Sequence, residues 1–179
     1  PRWYGLVYGG VAPQTTAINN ALYASETFHA PVQVTGSFYI DSAVVVTENA
    51  SIIFEEGAYI TAGFNTYIVI DGSATIKGSP FGNNIIPSFA YPKHDQIRIS
   101  WFGSNTDDDK LVKIYQGATS SEQVIVIDKD LHIASNINIA YPVKMEAGII
   151  YNTLSSAFIQ LPKLIAPEPV RRIFNLTGA

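Results

Sequence analysis

The 179-residue chain contains no cysteine. That excludes disulfides, thiolate metal sites and a cysteine nucleophile, and leaves the compartment open. Charge is also scarce. Asp, Glu, Lys and Arg make up 15% of the residues, against roughly 25% in an ordinary soluble domain. The balance is acidic, 11 Lys+Arg against 15 Asp+Glu, with a pI near 5.2. No basic run is present, so the electrostatic footprint of a nucleic-acid partner is missing. No apolar run approaches the ~18 residues of a membrane-spanning helix. Histidine occurs three times, as His29, His94 and His132, without the His-x-x-x-His spacing of a metal site. Neither a Gly-x-Ser-x-Gly elbow nor a phosphate-binding P-loop appears. The sequence therefore calls for no metal and no cofactor.

Apolar residues are abundant, at 47%. That is too much apolar surface, with too little charge, for a disordered chain. The length suffices for one ordinary domain or for two small units of a repeating architecture. The apolar residues lean towards strand: 23 Ile and 13 Val stand beside 12 Thr. Such β-branched side chains suit a pleated surface better than a helix. Ten Pro and 13 Gly interrupt the chain often. Short strands in an all-β protein are expected.

The chain also repeats itself. Trp3-Tyr4-Gly5 returns as Trp101-Phe102-Gly103, 98 residues on. Beyond each copy a short helical pattern precedes a strand-rich block. In those blocks the offset is 91, with Val34 matching Ile125 and Gly57 matching Gly148. The match continues with Ile68 on Ile159 and Ile70 on Leu161. The drop from 98 to 91 places a seven-residue deletion between Trp101 and Val124, in a surface connection. Two units follow: 1–100, with a helix over 14–24, a β-rich block over 32–78 and a connector over 79–100; and 101–179, truncated at its C-terminal end. The sequence reads as a piece of a longer polypeptide.

Strand centres lie five to nine residues apart, closer than the turn spacing of a sandwich. This predicts two tandem β-solenoid-like units of the parallel β-helix type, in which short strands meet at tight corners. Gly36, Gly57, Gly72 and Gly78 are expected to supply corner conformations with positive φ. Asp71-Gly72, between Ile68-Val69-Ile70 and Ala74-Thr75-Ile76, also fits a hairpin link, so an antiparallel sheet is the local alternative. Ala17, Ile18, Ala21 and Leu22 recur at helical spacing after Pro13. Leu111, Ile114 and Tyr115 follow Thr106-Asp107-Asp108-Asp109, acids placed where a helix start favours them. Each short helix would cover an open end of the stack.

These residues carry a resemblance. Trp3-Tyr4-Gly5, Gly9-Gly10-Val11 and Thr15-Thr16-Ala17-Ile18-Asn19-Asn20-Ala21-Leu22 resemble the entry segment of pectate-lyase-like right-handed parallel β-helix proteins, widespread in bacteriophage tailspikes. That segment reads Trp-Phe-Gly-Ala, an Asp-Gly, a Thr-Asp-Asp-Thr, then Ala-Ile and a helix. The blocks Ala50 to Ile60 and Val69 to Gly78 are similar to β-rich modules preceding it. In the first copy Gly9 and Pro13-Gln14 replace the family's acids, while Thr106-Asp107-Asp108 is the best match in the second. The resemblance implies a structural or attachment segment of a tailspike or tail fibre, located in the virion and linking the receptor-binding part to it. It implies a homotrimer, other tail or baseplate proteins as partners, and bacterial surface polysaccharide as a further partner. The alternative is part of a polysaccharide depolymerase, a glycoside hydrolase or lyase acting on capsule or lipopolysaccharide.

Glycoside hydrolysis needs two carboxylates about 5–10 Å apart. The candidates are Asp41, Glu55, Glu56 and Asp71, and solvated turn acids are the better reading of all four. Asp107-Asp108-Asp109 could meet a hard cation, yet helix capping explains it better. Trp3, Tyr4, Tyr8, Trp101 and Phe102 are the candidates for stacking on sugar rings. The return of Trp at both unit starts favours a repeated packing role. His132, between Leu131 and Ile133, should point outwards. Pro162, Pro167 and Pro169 mark an edge or a linker.

Overall fold

The computed structural model describes residues 13–103, 106–138, 140–147, 150–152, 159–160, 163–165 and 174–176. The fold is largely β, with two helices, and the strand pairs are parallel. The chain visits three faces in rotation, and each return lays a strand beside the previous visit. The first pass is β1 (Val32–Val34), β2 (Ser37–Ile40) and β3 (Val44–Val46). The second is β4 (Ser51–Phe54), β5 (Tyr59–Ala62) and β6 (Thr66–Ile70). β4 pairs with β1, β5 with β2, and β6 with β3. The third pass is β7 (Ser73–Ile76), a single bridge at Phe81, and β8 (Ile85–Phe89). β7 pairs with β4 and β8 with β6. The Asp71-Gly72 link is therefore no hairpin. β6 and β7 belong to different faces, and the antiparallel alternative falls.

The fourth pass carries β9 (Gln96–Arg98), a bridge from Phe102 to Phe81, and helix α2 (Asp107–Gly117). Then come β10 (Val124–Ile127), β11 (Leu131–Ile133) and β12 (Ile137–Asn138), followed by β13 (Val143–Met145), β14 (Ile150–Asn152) and β15 (Ile159–Gln160). Their pairing repeats that of the first two passes: β10 with β13, β11 with β14, β12 with β15. β16 (Leu164–Ile165) joins β13 at the end of its sheet, and β17 (Phe174–Leu176) joins β14. β9 pairs with β10, so residues on both sides of the 100/101 boundary share one sheet. Among the described residues β7 pairs only with β4, which leaves the first face broken between β7 and β9.

Alternation explains what is buried. In β1, β3 and β11 the outer residues are buried and the middle one is exposed, so His132 points outwards as its neighbours require. Inward side chains stack from pass to pass. Phe54, Phe81, Phe89 and Phe102 are completely buried, and the Phe81 ring lies 5.5, 5.9 and 5.8 Å from those of Phe54, Phe89 and Phe102. Such edge and tilted contacts add about 0.5–1.5 kcal/mol each beyond burial.

Several expectations need correction. The first helix, α1, runs Thr15–Phe28 rather than over 14–24, and ends on His29 in the left-handed region. The stretch expected as a connector, 79–100, holds β8 and β9. Pro87 disguised β8, because proline is tolerated only where no ladder N–H is needed. The far side of β8 faces α2, not another strand. Gly36 and Gly57 have φ of 81°, but Gly72 and Gly78 do not reach positive φ. Gly72 is required by space: a Cβ there would sit 2.2 Å from the Ala50 carbonyl and 2.3 Å from that of Thr47. Tyr115 does not join Leu111 and Ile114 in the core; it is exposed and its ring lies 5.8 Å from that of Tyr141.

The two helices cover strand edges through specific hydrogen bonds, and α2 does so between passes instead of at an open end of the stack. Thr15 Oγ1 accepts the Asp41 backbone N–H and donates to Asp41 Oδ1. Ser25 Oγ accepts the Ser51 N–H and donates to the Ser51 carbonyl. In α2, Asp107 Oδ2 accepts the His132 N–H at 2.7 Å, and Asp108 Oδ1 accepts the Ala134 N–H at 3.1 Å. These amides lie along the edge of β11 that no described strand pairs, and in the turn after it. The other side of α2 lies against β8, so this helix separates the third pass from the fifth. Its exit is held by Gln123, fully buried, whose Nε2 donates to the carbonyls of Phe89 and His94, each at 2.8 Å. Gln123 Oε1 accepts the N–H groups of Thr119 and Ser120.

Candidate functional site

The candidate carboxylates do not come together. Asp41 follows β2, Glu55 and Glu56 follow β4, and Asp71 follows β6. Those are three different corners of the rotation, so only the adjacent Glu55 and Glu56 share one. Asp41 is engaged by Thr15 and Ser42. Glu55 pairs with Lys77 at 2.8 Å across neighbouring passes. Glu56 and Asp71 are exposed. The three acids at the start of α2 serve the helix and the β11 edge. Thr106 Oγ1 caps the helix by accepting the Asp109 N–H, Asp107 also accepts from Lys110 at 2.7 Å, and Asp108 accepts from Ser135. No group of three metal-ligating side chains occurs among the described residues.

Of the aromatic candidates, Trp3, Tyr4 and Tyr8 lie outside the described residues. Phe102 is fully buried, so its ring is closed to a sugar. Trp101 is half-buried and packs against the core, 5.3 Å from the Phe89 ring. Packing is what the structure gives both residues.

What the sequence reading missed is a polar cleft of about 510 Å³ beside α2. One wall is a chain corner bearing Asn65, Asn83 and Asn84. The other is a face of α2 bearing Thr106, Asp109, Lys113 and Gln116. Positions three and four apart fall on one side of a helix, which is why these four residues face the same way. Asn65 and Asn84 immediately precede the register partners Thr66 and Ile85, so the two asparagines stack across adjacent strands. The Thr66 N–H donates to the Asn84 carbonyl at 2.8 Å. Asn84 takes a left-handed backbone, φ 62°, and its Nδ2 donates to the Ala62 carbonyl at 2.8 Å. Lys113 is buried, with Nζ donating to the Gly82 carbonyl at 3.4 Å. Burial pushes its ammonium pKa down, and Asp109 pulls the other way. The only advance signal was the Asn-Thr and Asn-Asn pairs at two turns, 18 residues apart.

Charge elsewhere is arranged across passes. Glu146 accepts from Arg98 at 2.6 Å and from Lys144 at 2.7 Å, over the buried Val126 that lies in register with both. The bonds from Lys144 and then Arg98 hold the Glu146 carboxyl below the usual range. Asp128 accepts from Arg98, and from the Ser100 N–H and hydroxyl. No described helix is long and apolar enough to cross a membrane. No family model, curated protein or solved structure matches the chain.

Proposed function

We propose that the chain is a β-solenoid segment of a bacteriophage tailspike or tail fibre, serving to hold and attach rather than to catalyse. The observation that supports this most is the strand rotation. Each strand's partner is a whole pass away and parallel, with a helix across the strand edges at the start of each run. That is the winding and the lid which the resemblance to pectate-lyase-like proteins implies. The two units, 1–100 and 101–179, are successive copies of one winding, with β9 of the first already paired into the second. The homotrimer, the neighbouring tail or baseplate proteins and the virion location rest on the resemblance. The depolymerase alternative has less behind it, since its carboxylates stand at separate corners.

Light scattering on the eluting chain tests the assembly, and a trimer is expected. A monomer at micromolar concentration would remove the trimer from the proposal. Incubation with capsular polysaccharide tests the role. Unchanged chain length of the glycan is expected. Shortening that Glu55→Gln or Asp71→Asn abolishes would replace attachment with depolymerisation.

A further inference from the structure

We infer that the cleft between the Asn65/Asn83/Asn84 corner and α2 is a binding site for a neutral saccharide of one or two pyranose rings. Its volume of about 510 Å³ falls within the range of small-molecule sites, roughly 300–1,000 Å³. Its chemistry selects the ligand. A carboxamide presents a donor and an acceptor side by side. Adjacent sugar hydroxyls each donate and accept, so a vicinal diol matches such a group in both senses. Three carboxamides stand on one wall and Gln116 on the other. Asn65 and Asn84 immediately precede neighbouring parallel strands, whose axes lie about 4.8 Å apart, a spacing comparable to the width of a pyranose.

Charge argues against the competing classes. Asp109 and Lys113 are four residues apart on one helix face and opposite in sign. They offset each other, so neither a phosphate nor a cation gains a net field. Val112, exposed among the polar groups, gives the C–H face of a ring an apolar contact. The Asn84 bond to the Ala62 carbonyl fixes its carboxamide before a ligand arrives, which lowers the ordering cost of binding. The inference stands on the lining of the cleft and not on the architecture proposed above, so either can fail without the other.

The test is saturation-transfer NMR on the full chain, with cellotriose, maltotriose and triacetylchitotriose at millimolar concentration. Transfer to at least one trisaccharide is expected. Asn65→Ala and Gln116→Ala, on opposite walls, should each weaken it about tenfold, equivalent to about 1.4 kcal/mol. Tyr23→Ala, on α1, should leave it unchanged. Both cleft variants change exposed side chains, and an unaltered melting temperature shows that they fold. Absence of transfer from all three sugars overturns the inference, as does binding that neither cleft substitution weakens. Occupancy by an extended peptide or by inorganic phosphate that no trisaccharide displaces also overturns it.

Discussion

Asp107 Oδ2 accepts the backbone N–H of His132 at 2.7 Å, and Thr15 Oγ1 does the same for Asp41 at 3.1 Å. Thr15 and Asp107 are each the first residue of their helix. Asp41 and His132 are 91 residues apart, the offset of the sequence repeat. One edge amide is therefore sealed in the same way in both halves, by a hydroxyl in one and a carboxylate in the other. The contact is the same although the two side chains differ in charge. Asp107→Ala should cost about 2 kcal/mol, because it strands a donor and leaves Lys110 without its carboxylate. Asp107→Thr, copying the first helix, should cost less. Urea unfolding followed by circular dichroism measures both, and equal losses would contradict the equivalence.

Gln123 makes four hydrogen bonds from a fully buried carboxamide. Gln123→Ala should destabilise by about 3 kcal/mol, since several backbone groups lose their partner at once. Gln123→Glu should also be harmful, because a carboxylate cannot donate to the Phe89 and His94 carbonyls. A melting temperature within error of the wild type for either variant would refute this role.

The Phe81 ring touches three other buried phenyl rings, Phe89 on its own pass and Phe54 and Phe102 on the adjoining ones. Phe81→Ala should cost about 3–5 kcal/mol. Phe81→Leu should recover a large part of it. If Trp101→Ala, at the half-buried rim of the same cluster, proved the more damaging, the cluster would not be centred on Phe81.

Gly57 and Gly117 separate two reasons for glycine. Gly57 has φ 81° with open space around it, whereas a Cβ on Gly117 would meet the Pro87 carbonyl oxygen at 1.8 Å. Gly57→Ala should cost about 1 kcal/mol of backbone strain. Gly117→Ala should cost more, by lifting the end of α2 from β8. Hydrogen exchange distinguishes them: only the second should speed exchange across α2.

Glu146 has a folded pKa below its unfolded value. Its contribution is thus complete above the ordinary carboxylate range and is lost as the pH falls through the depressed value. Glu146→Gln should lower the melting temperature at neutral pH and match the wild type once the pH has fallen below the depressed value. Because the group is solvent-exposed, added salt should shrink the difference. A gap that persists in acid would assign the effect to packing instead.

The repeat, the short strands and the two helix starts were legible because they rest on local pattern: β-branched residues at close turn spacing, and Thr-Asp-Asp before an amphipathic run. β8 was hidden because Pro87 reads as a breaker unless one knows that a helix and not a strand lies on its far side. Gly72 was recognised as a corner for the wrong reason, since φ preference is a local property and crowding by Ala50 and Thr47 is not. The polar cleft escaped notice because its walls, near Asn65 and Lys113, are far apart in sequence. Phe102 was open to a packing or a stacking role, with packing favoured by the repeat, and its burial against the Phe81 ring places it in the core.

The interruption between β7 and β9 leaves one side of the molecule without a continuous backbone ladder. On that side the neighbouring layers are therefore held together by side chains rather than by the main chain, among them His94 on the Gly72 carbonyl and Ser79 on that of Ser100.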